Sequence, residues 1–344
     1  MLFYCGIDLH AKESVLCIID TQDTIHFRKK VSNQINHILE VLDSFTPKPK
    51  VALEATLNWY WLVDGLQEAG FEVKLAHPFG LQVIKKAKVK TDNRDAFHLA
   101  RLLRLEALPE SYIYPKETRP LRDLLRKRQK IVSLRAAEYT SLHRTLLQQG
   151  IVDIPAVQAK EFKAKEIEQY FEHPVIQYRC AMELERIGFY TRQIKILEEI
   201  IFGNATEHQD FLLLQTIPGV GKLLASIILY ETGDVNRFPT AKQYCSYSRV
   251  VPGIAQSSNT VRRGKGSKQG NPYLKFAFMQ AASLAVRFDG PIRRFRLRHM
   301  GRRRSKARKL ISVSIVAHKL AVAAYQILKD KKVFQMESMF GSYV

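Results

Sequence analysis

The fold of the first part of this chain is decided by the stretch LFYCGID at residues 2–8, an apolar run that ends on Asp8. Such a run is typical of a buried β-strand. The apolar run VAL further along also ends on a carboxylate, Glu54, and Asp92 and Asp95 lie three residues apart in KTDNRD. At that spacing two helical residues share one face. The pattern therefore predicts an α/β domain with carboxylates at strand ends and on one helix.

The order of the elements around these carboxylates is that of the ribonuclease H-like fold. Hydrophobic periodicity and turn residues predict strands at 2–8, 14–20, 24–31, 50–55 and 71–76, and helices capped by Ser32 or Asn33 and running to about 45, at 58–69 and at about 92–105. This order predicts an α/β layer with a mixed sheet. We assign the domain to residues 1–108, followed by a proline-containing linker at 106–119.

Two helical regions are predicted after the linker. Apolar residues at helical spacing predict two long amphipathic helices within 116–203, arranged as an antiparallel, coiled-coil-like arm or as a compact bundle. The sequence barely separates these arrangements, and we favour the arm. Residues 208–344 are expected to form a mostly α-helical domain with a helix-hairpin-helix at the turn PGVG, 218–221. The segment 256–272, rich in Gly, Ser and Asn, is predicted to be a loop.

The charge of the chain predicts a polyanionic partner. The 344 residues carry a net charge of +21, and 16 Lys and Arg against one acidic residue lie between residues 256 and 310. Neutralising phosphates releases condensed counterions, which favours nucleic acid. The alternative is a solvated basic face on an ordinary enzyme. Four cysteines without paired spacing argue against disulfides and zinc. With no signal peptide and no uncharged apolar run of the ~18–20 residues that a membrane helix needs, we expect a cytoplasmic protein without a membrane partner.

The four carboxylates predict a divalent-metal site. Asp8, Glu54, Asp92 and Asp95 would repel one another in one place unless a cation neutralised them, and Mg²⁺ or Mn²⁺ prefers oxygen ligands. Two such ions about 3.5–4 Å apart stabilise both the attacking and the leaving oxygen of a phosphoryl transfer. The alternative is that each acid is a helix cap or a surface charge. For Asp92 alone that alternative is the better interpretation.

A second candidate site is the serine loop, QSSNTVRRGKGSK at 256–268. An activated serine can attack phosphorus and form a phosphoserine. Cationic residues beside it would stabilise the charge of that transition state. On spacing alone, a simple phosphate-binding loop is the better interpretation. The residues concerned are Ser257, Ser258, Arg262, Arg263, Lys265 and Lys268.

Two further segments are candidates for binding nucleic-acid phosphates. The glycines of the hairpin, Gly219 and Gly221, would expose backbone N–H groups at a helix N-terminus, which binds anions without reading sequence. An ordinary helix–turn–helix corner is equally consistent with them. The arginine-rich run that begins with Arg293, Arg294 and Arg296 suits phosphate recognition and stacking on bases.

The order of motifs resembles the insertion sequence 110 family of transposases, which includes the related Piv-type DNA invertases. The resemblance covers residues 4 to 325, and only the ordered set is specific. Its motifs are GID at 6–8, LEAT at 53–56, KTDNRDA at 90–96, the PGVG hairpin, GD at 233–234 with RF at 237–238, and VP at 251–252 leading to SS at 257–258.

This resemblance implies a RuvC-like domain whose quartet Asp8, Glu54, Asp92 and Asp95 binds Mg²⁺ or Mn²⁺. It implies a C-terminal transposase domain whose serine attacks DNA, Ser257 by motif match with Ser258 as the alternative. A partner subunit would complete the site, so a dimer or tetramer is expected. A structured RNA encoded by the element would bridge target and donor DNA.

The chain departs from the family pattern in two places. Asn259-Thr260 follow the serines where many relatives have a Gly-rich stretch, and Ser248-Arg249 precede Val-Pro where relatives often carry Gly. The first departure bears on the choice between Ser257 and Ser258.

Our prediction is a metal-dependent DNA recombinase with a serine nucleophile. The alternatives are a RuvC-like junction nuclease that uses water and a non-catalytic basic scaffold for nucleic acid. The absence of Gly-rich phosphate loops after the first strand argues against an actin-like ATPase.

Overall fold

The computed structural model describes residues 1–84, 92–152, 162, 166, 168–257, 260–264, 269–288, 290–300 and 305–341. The chain folds into two compact units, Met1–Lys116 and Glu117–Val344. The boundary falls inside the predicted linker. A division of the second unit into an arm at 116–203 and a further domain at 208–344 stays a prediction.

The first unit is built on a six-stranded mixed sheet. Its elements are β1 Tyr4–Leu9, β2 Glu13–Ile19, β3 Ile25–Ser32, α1 Ile35–Asp43, β4 Lys50–Glu54, α2 Tyr60–Glu68, β5 Val73–Ala76, α3 Pro78–Ile84, α4 Asp92–Arg104 and β6 Glu110–Ser111. The strand order is β3-β2-β1-β4-β5-β6. β1 pairs antiparallel with β2 and parallel with β4, and β4 is parallel to β5. The predicted α/β layer with a mixed sheet is confirmed.

The two faces of this sheet are covered by different helices. On one face, residues such as Ile7, Leu16 and Leu53 share a core with Ile38 of α1 and Leu62 of α2. The other face packs against α4, where the small residues of that helix meet the strands. The buried cluster there consists of Val15, Cys17, Ile19, Ala96 and Ala100. Since alternate strand residues point to opposite faces, both sides of β1 are buried.

The start of α1 differs from expectation. The residue before the helix is Gln34, without a side-chain cap, so the prediction that Ser32 or Asn33 caps it was wrong. Asn33 instead donates through Nδ2 to the carbonyl of His10, 2.8 Å away. Ser32 hydrogen bonds through Oγ to Nδ1 of His37 at 2.6 Å. Both side chains therefore have partners that satisfy them without capping the helix.

The short strand β6 was also not predicted. It lies inside the segment that the sequence indicates as a linker, and its two residues pair with Leu75 and Ala76 of β5. The pairing joins segments more than thirty residues apart in sequence. Local periodicity carries no signal for such a contact, because two residues are too few to show alternation.

The second unit is mostly helical. Its elements are α5 Arg119–Gln148, α6 Pro174–Ala205, α7 Gln209–Leu214, α8 Lys222–Thr232, α9 Ala241–Tyr247, β7 Gly253–Ser257, β8 Thr260–Gly264, α10 Pro272–Ala285, α11 Pro291–Met300, α12 Lys306–Asp330 and α13 Met336–Phe340, with 3₁₀ turns at Glu168–Tyr170 and Val235–Arg237. The helices α5 and α6 account for the two long amphipathic helices that the sequence predicts.

The contacts between α5 and α6 show that the helices run antiparallel. Residues of α5 bond to residues of α6 in reverse order along the chain. Arg128 pairs with Glu198 at 2.6 Å, Glu138 with Arg186 at 3.1 Å, and Ser141 Oγ donates to Glu183 at 2.7 Å. The C-terminal end of α5 and the N-terminal half of α6 share a small separate core with Phe171, which precedes α6. Its other members are Leu142, Leu146, Cys180, Leu184 and Ile187.

The N-terminal half of α5 and the C-terminal part of α6 pack into the main core of the second unit. Leu125 and Ile131 of α5 and Ile201 of α6 belong to the same buried cluster as Phe211, Tyr244 and Phe278. The helix α12 crosses this core. By length and apolar content it could span a membrane, but 56% of its most apolar window is buried inside the unit. Its composition is therefore explained by packing.

The segment predicted as a loop contains a β-hairpin. β7 and β8 pair antiparallel from Gly253 opposite Gly264 to Ser257 opposite Thr260. The loop prediction for this part of 256–272 was therefore wrong. Gly, Ser and Asn are typical of loops, and the alternation that marks a strand is too short here to outweigh that signal.

Candidate functional site

Two of the predicted carboxylates lie side by side at one edge of the sheet. Ile7 of β1 is paired with Leu53 of the parallel strand β4. Asp8 and Glu54 each follow by one residue, so they occupy neighbouring positions where both strands end. Equivalent residues of paired parallel strands point to the same face, which here is the face covered by α4. The side chain of Asp8 keeps 17% of its surface exposed.

The third carboxylate is brought to this face by direct packing of α4 on β1. A Cβ added to Gly6 would lie 2.0 Å from the carbonyl oxygen of Ala96 and 2.6 Å from the nitrogen of Ala100. The helix backbone therefore rests on the strand where the side chain is missing. Asp95 immediately precedes Ala96 and is 8% exposed. Asp92 begins the same helix one turn earlier, and its side chain lies outside the described residues.

Replacing Gly6 by Ala is expected to destabilise the first unit by about 3 kcal/mol, because the new methyl group meets backbone atoms that cannot rotate away. Gly65→Ala is the matched control, since its methyl group would meet only the flexible end of the Ile35 side chain. Chemical denaturation of the two variants measures the difference. Equal stability of Gly6→Ala and the wild type would contradict the close approach of α4.

The turn after β1 is held by a network that the sequence analysis missed. His10 Nε2 lies 3.3 Å from the Asp8 carboxylate. The carbonyl of His10 accepts hydrogen bonds from Nδ2 of Asn33 and of Asn58, both at 2.8 Å. Asn33 in turn accepts from Ser14 Oγ at 2.5 Å. The two asparagines thus fix the backbone of His10, whose ring contacts Asp8. Only the short distance from Asp8 to His10 in sequence hinted at it.

The donor set at this edge fits a hard divalent cation. Its members are carboxylates, and oxygen ligands are what Mg²⁺ and Mn²⁺ prefer. Among the described side chains, which leave out Asp92, no group of three or more His, Cys, Asp and Glu converges closely enough to hold a metal. The structure sets Asp8 beside Glu54 by strand register and packs α4, the helix that carries Asp95, on the same face of the sheet.

The predicted nucleophile lies at the tip of the β7–β8 hairpin. Ser257 is the last residue of β7 and is paired with Thr260, the first residue of β8. Ser258 falls between them, outside the described residues. The backbones of Arg262 and Arg263 lie in β8 opposite Ala255 and Ile254. Lys265 and Lys268 follow the hairpin and lie outside the described residues.

The segment that contains this hairpin is flanked by two residues in contact, Tyr247 and Asn271. The backbone nitrogen of Asn271 donates to the carbonyl of Tyr247 at 2.6 Å. Gly270 has a φ of +95°, and a Cβ there would lie 2.4 Å from the same carbonyl oxygen. Asn271 then caps α10, accepting through Oδ1 from the backbone nitrogens of Tyr273 and Leu274 at 2.9 and 3.1 Å. The chain therefore leaves and re-enters the helical core at one point.

A buried carboxylate supports the same point. Glu231 of α8 pairs with Arg122 and Arg126 and accepts a hydrogen bond from Asn271. Burial raises the pKa of the Glu231 carboxyl, but the hydrogen bond from Arg126 and the charges of both arginines outweigh this effect. The pKa therefore lies below its usual value, and Glu231 is ionised at neutral pH.

One departure from the family pattern has a structural cause. Arg249 precedes the Val-Pro pair with a φ of +56°, in the left-handed region that favours glycine. Its Nε is buried without a hydrogen-bond partner among the described residues. A glycine at this position would avoid both costs, because it adopts positive φ freely and has no side chain to bury.

The two glycines of the predicted hairpin occupy different environments. Gly219 has a φ of +82°, and a Cβ there would lie 2.3 Å from the carbonyl of Ala281 in α10. It is therefore required by packing. Gly221 is exposed at the start of α8, with no atom within 4 Å of an added Cβ. Of the two, Gly221 is placed where backbone N–H groups reach solvent.

The arginines of α11 also divide into two groups. Arg293 and Arg294 are exposed, as is Arg298 one turn on. Arg296 is half-buried and donates through Nε to Ser312 Oγ at 3.3 Å. Arg293, Arg294 and Arg298 therefore lie on the solvent-facing side of α11.

A mixed sheet in this strand order, with acids at one edge beneath a helix that begins with two further acids, defines the RuvC-like class of ribonuclease H-like domains. Residues 5–150 match a transposase family of the insertion sequence 110 type with a DEDD motif, and residues 212–297 match the family described as "Transposase IS116/IS110/IS902 family". The chain belongs to this family of transposases.

Curated relatives are similar along much of the chain. A putative transposase of Sinorhizobium fredii, y4qE, is 24% identical over 235 residues, 67% of this chain and 56% of that protein. A probable family 20 transposase of Pseudomonas aeruginosa is 23% identical over 291 residues, 82% of this chain and 83% of that protein. A solved structure of Thermus thermophilus RuvC in complex with a Holliday junction substrate aligns with 32% of this chain and all of that chain, with 16% identity and a TM-score of 0.26.

Proposed function

We propose that this chain is the recombinase of a mobile DNA element, in which a divalent-metal acidic site and a serine nucleophile cut and rejoin DNA strands. The metal ligands are Asp8, Glu54, Asp92 and Asp95, and the nucleophile is Ser257. The DEDD motif of the family implies a divalent metal, here Mg²⁺ or Mn²⁺. The observation that supports the proposal is the packing of α4, the helix that carries Asp95, on Gly6 of the strand that carries Asp8.

The proposed strand exchange takes two steps, formation of the phosphoserine and its resolution by another strand. Ser257 Oγ forms a bond to phosphorus while the bond from phosphorus to the 3′-oxygen breaks, and the hydroxyl proton ends on that oxygen. In the second step, the 3′-hydroxyl of another strand displaces Oγ, which takes the proton back. A bound divalent cation would stabilise the charge on the phosphate and on the leaving oxygen. Arg262, Arg263 and Lys265 follow the serine closely enough to neutralise the pentavalent phosphorus.

The partner of the basic surface is DNA, in keeping with the transposase relatives. The net charge of +21 and the exposed Arg293, Arg294 and Arg298 support binding to phosphates without sequence readout. The resemblance further implies an element-encoded structured RNA that supplies specificity by base pairing. It also implies a dimer or tetramer in which a partner subunit completes the site.

Metal binding tests the acidic site without any assay of activity. Glu54→Gln is expected to weaken Mn²⁺ binding by at least about tenfold, because it removes a charged ligand and keeps the side-chain volume. Electron paramagnetic resonance of Mn²⁺ titrated into the protein measures the bound fraction. Glu72→Gln is the control, since Glu72 is an exposed acid paired with Lys50.

Strand cleavage of element-end DNA should then require the same metal, and EDTA should abolish it. Mn²⁺ binding that is unchanged in Glu54→Gln would contradict the acidic site. Metal-dependent cleavage that needs neither Ser257 nor Ser258 would favour the RuvC-like nuclease that uses water. A function that survives EDTA would favour the non-catalytic scaffold.

A further inference from the structure

The carboxylate of Glu231 is almost fully buried, with 1% of its side chain exposed. A buried charge persists only where partners replace its hydration. Arg122 Nε and Arg126 Nε of α5 lie 3.0 and 2.6 Å from its two oxygens. The third partner is neutral: Asn271 Nδ2 donates to Oε2 at 2.7 Å. Glu231 therefore links two arginines of the long helix α5 to one asparagine.

That asparagine stands at the foot of the serine hairpin. Its backbone nitrogen donates to the Tyr247 carbonyl at 2.6 Å, and Tyr247 precedes the hairpin as Asn271 follows it. The ring of Tyr247 is itself fixed, because the Arg237 guanidinium lies 4.5 Å from its centroid. Tyr247 and Asn271, which flank the segment that contains the hairpin, are thus both held by this network.

The hairpin needs such an anchor. β7 and β8 form a two-stranded sheet of their own. A two-stranded hairpin is marginally stable in water without further packing. A nucleophile on it must still be held in a narrow range of positions, since a displacement of about 1 Å can cost 10²-fold in rate.

We propose that Glu231 and Asn271 are positioning residues that fix the serine hairpin to helix α5. Neither side chain takes part in the chemistry. The ion pairs with Arg122 and Arg126 hold Glu231, Glu231 orients Asn271, and Asn271 sets the direction in which the hairpin leaves the core. The catalytic part of this inference rests on the proposed function of Ser257, whereas the anchoring of the hairpin does not.

Asn271→Asp isolates the link. The aspartate keeps the Oδ1 acceptor that caps α10, but it places a carboxylate oxygen where the Nδ2 donor met Glu231. Hydrogen–deuterium exchange of peptides covering 253–264 is expected to become about tenfold faster, while peptides of α8 and α10 stay protected. The single-turnover rate of covalent adduct formation on element-end DNA is expected to fall about 10–100-fold, with DNA affinity unchanged.

Two further variants provide the controls. Arg128→Gln breaks an ion pair of the same 2.6 Å length on the same helix, but its partner Glu198 lies on α6. Exchange in the hairpin should stay at the wild-type level in this variant. The double variant Glu231→Gln with Asn271→Asp restores a donor facing an acceptor, and it is expected to recover part of the hairpin protection. If Asn271→Asp does not fold, Arg126→Gln tests the same link from α5.

Hairpin exchange and adduct rate both at the wild-type level in a folded Asn271→Asp would overturn the proposal. Faster exchange in Arg128→Gln as well would also overturn it, because the effect would then be general to the helix pair. Hairpin exchange that rises in Asn271→Asp but not in Arg128→Gln, in a protein whose adduct does not depend on Ser257, would uphold the anchor and reject the proposed nucleophile.

Discussion

Asp8→Asn is expected to lower the rate of strand cleavage by at least about 10²–10³-fold while leaving the fold and DNA binding intact. The change is isosteric, so the strand pairing of β1 with β2 and β4 is preserved. It removes one negative charge from the strand end that lies beside Glu54. The loss reflects electrostatic stabilisation of a transition state, and single preorganised groups of this kind contribute about that factor.

The measurement is the single-turnover cleavage rate at saturating Mg²⁺, together with a DNA-binding titration and a thermal unfolding curve. Asp43→Asn is the matched control, because Asp43 is an exposed acid of the same unit that pairs with Lys48. Cleavage by Asp8→Asn at the wild-type rate would show that this edge is not the catalytic site. Loss of DNA binding in the variant would assign Asp8 to structure.

Ser257→Ala is expected to abolish the covalent protein–DNA adduct altogether, since alanine has no atom that can bond to phosphorus. The tip of the hairpin tolerates the change, because Ser257 pairs with Thr260 through backbone atoms. DNA binding and the thermal unfolding midpoint should stay at the wild-type values. A denaturing gel with labelled element-end DNA, the co-expressed flanking RNA and Mg²⁺ measures the adduct.

Ser258→Ala provides the comparison within the same turn. An adduct that survives Ser257→Ala but disappears in Ser258→Ala would move the nucleophile by one residue and leave the mechanism unchanged. An adduct present in both single variants and in the double variant would contradict a serine nucleophile at this hairpin.

The sheet of the first unit was predictable because its strands carry strong local signals. The strand β1, within and just beyond the apolar run 2–8, is largely buried on both faces and has a nearly continuous apolar sequence. Their ends are marked by Asp8 and Glu54, whose neighbouring positions follow once the two strands are parallel. The ends of most elements of this sheet and its helices were predicted within two or three residues. Closer agreement is not expected, because the terminal turns of helices fray.

The close approach of α4 to Gly6 of β1 was not predictable from periodicity. Gly6 looks like any glycine in a strand until the helix above it is placed, and only then does the 2.0 Å approach to Ala96 explain it. Similarly, Asn33 looks like a helix cap because its chemistry suits one. Its side chain instead donates to the His10 carbonyl, a tertiary contact, and does not cap the start of α1.

The second unit shows the same division between local and tertiary information. The long helices α5 and α6 follow from their apolar spacing. Their antiparallel ion pairs and the core that they share with the rest of the unit are compatible with either an arm or a bundle, so the arm stays a prediction. The buried Glu231 network depends on contacts between segments far apart in sequence, whereas the β7–β8 hairpin pairs adjacent strands.

The most direct test of the central claim is to identify the atom to which DNA becomes attached. A nicked element-end substrate, whose short leaving strand diffuses away, would trap the adduct with flanking RNA and Mg²⁺. Trypsin should release the peptide spanning residues 250–262, because Arg249 and Arg262 bound it. Tandem mass spectrometry is expected to find a nucleotide phosphate on Ser257 of this peptide, and only in the protein that keeps Asp8. A phosphate on a residue outside the hairpin, or cleaved DNA with no adduct, would contradict it.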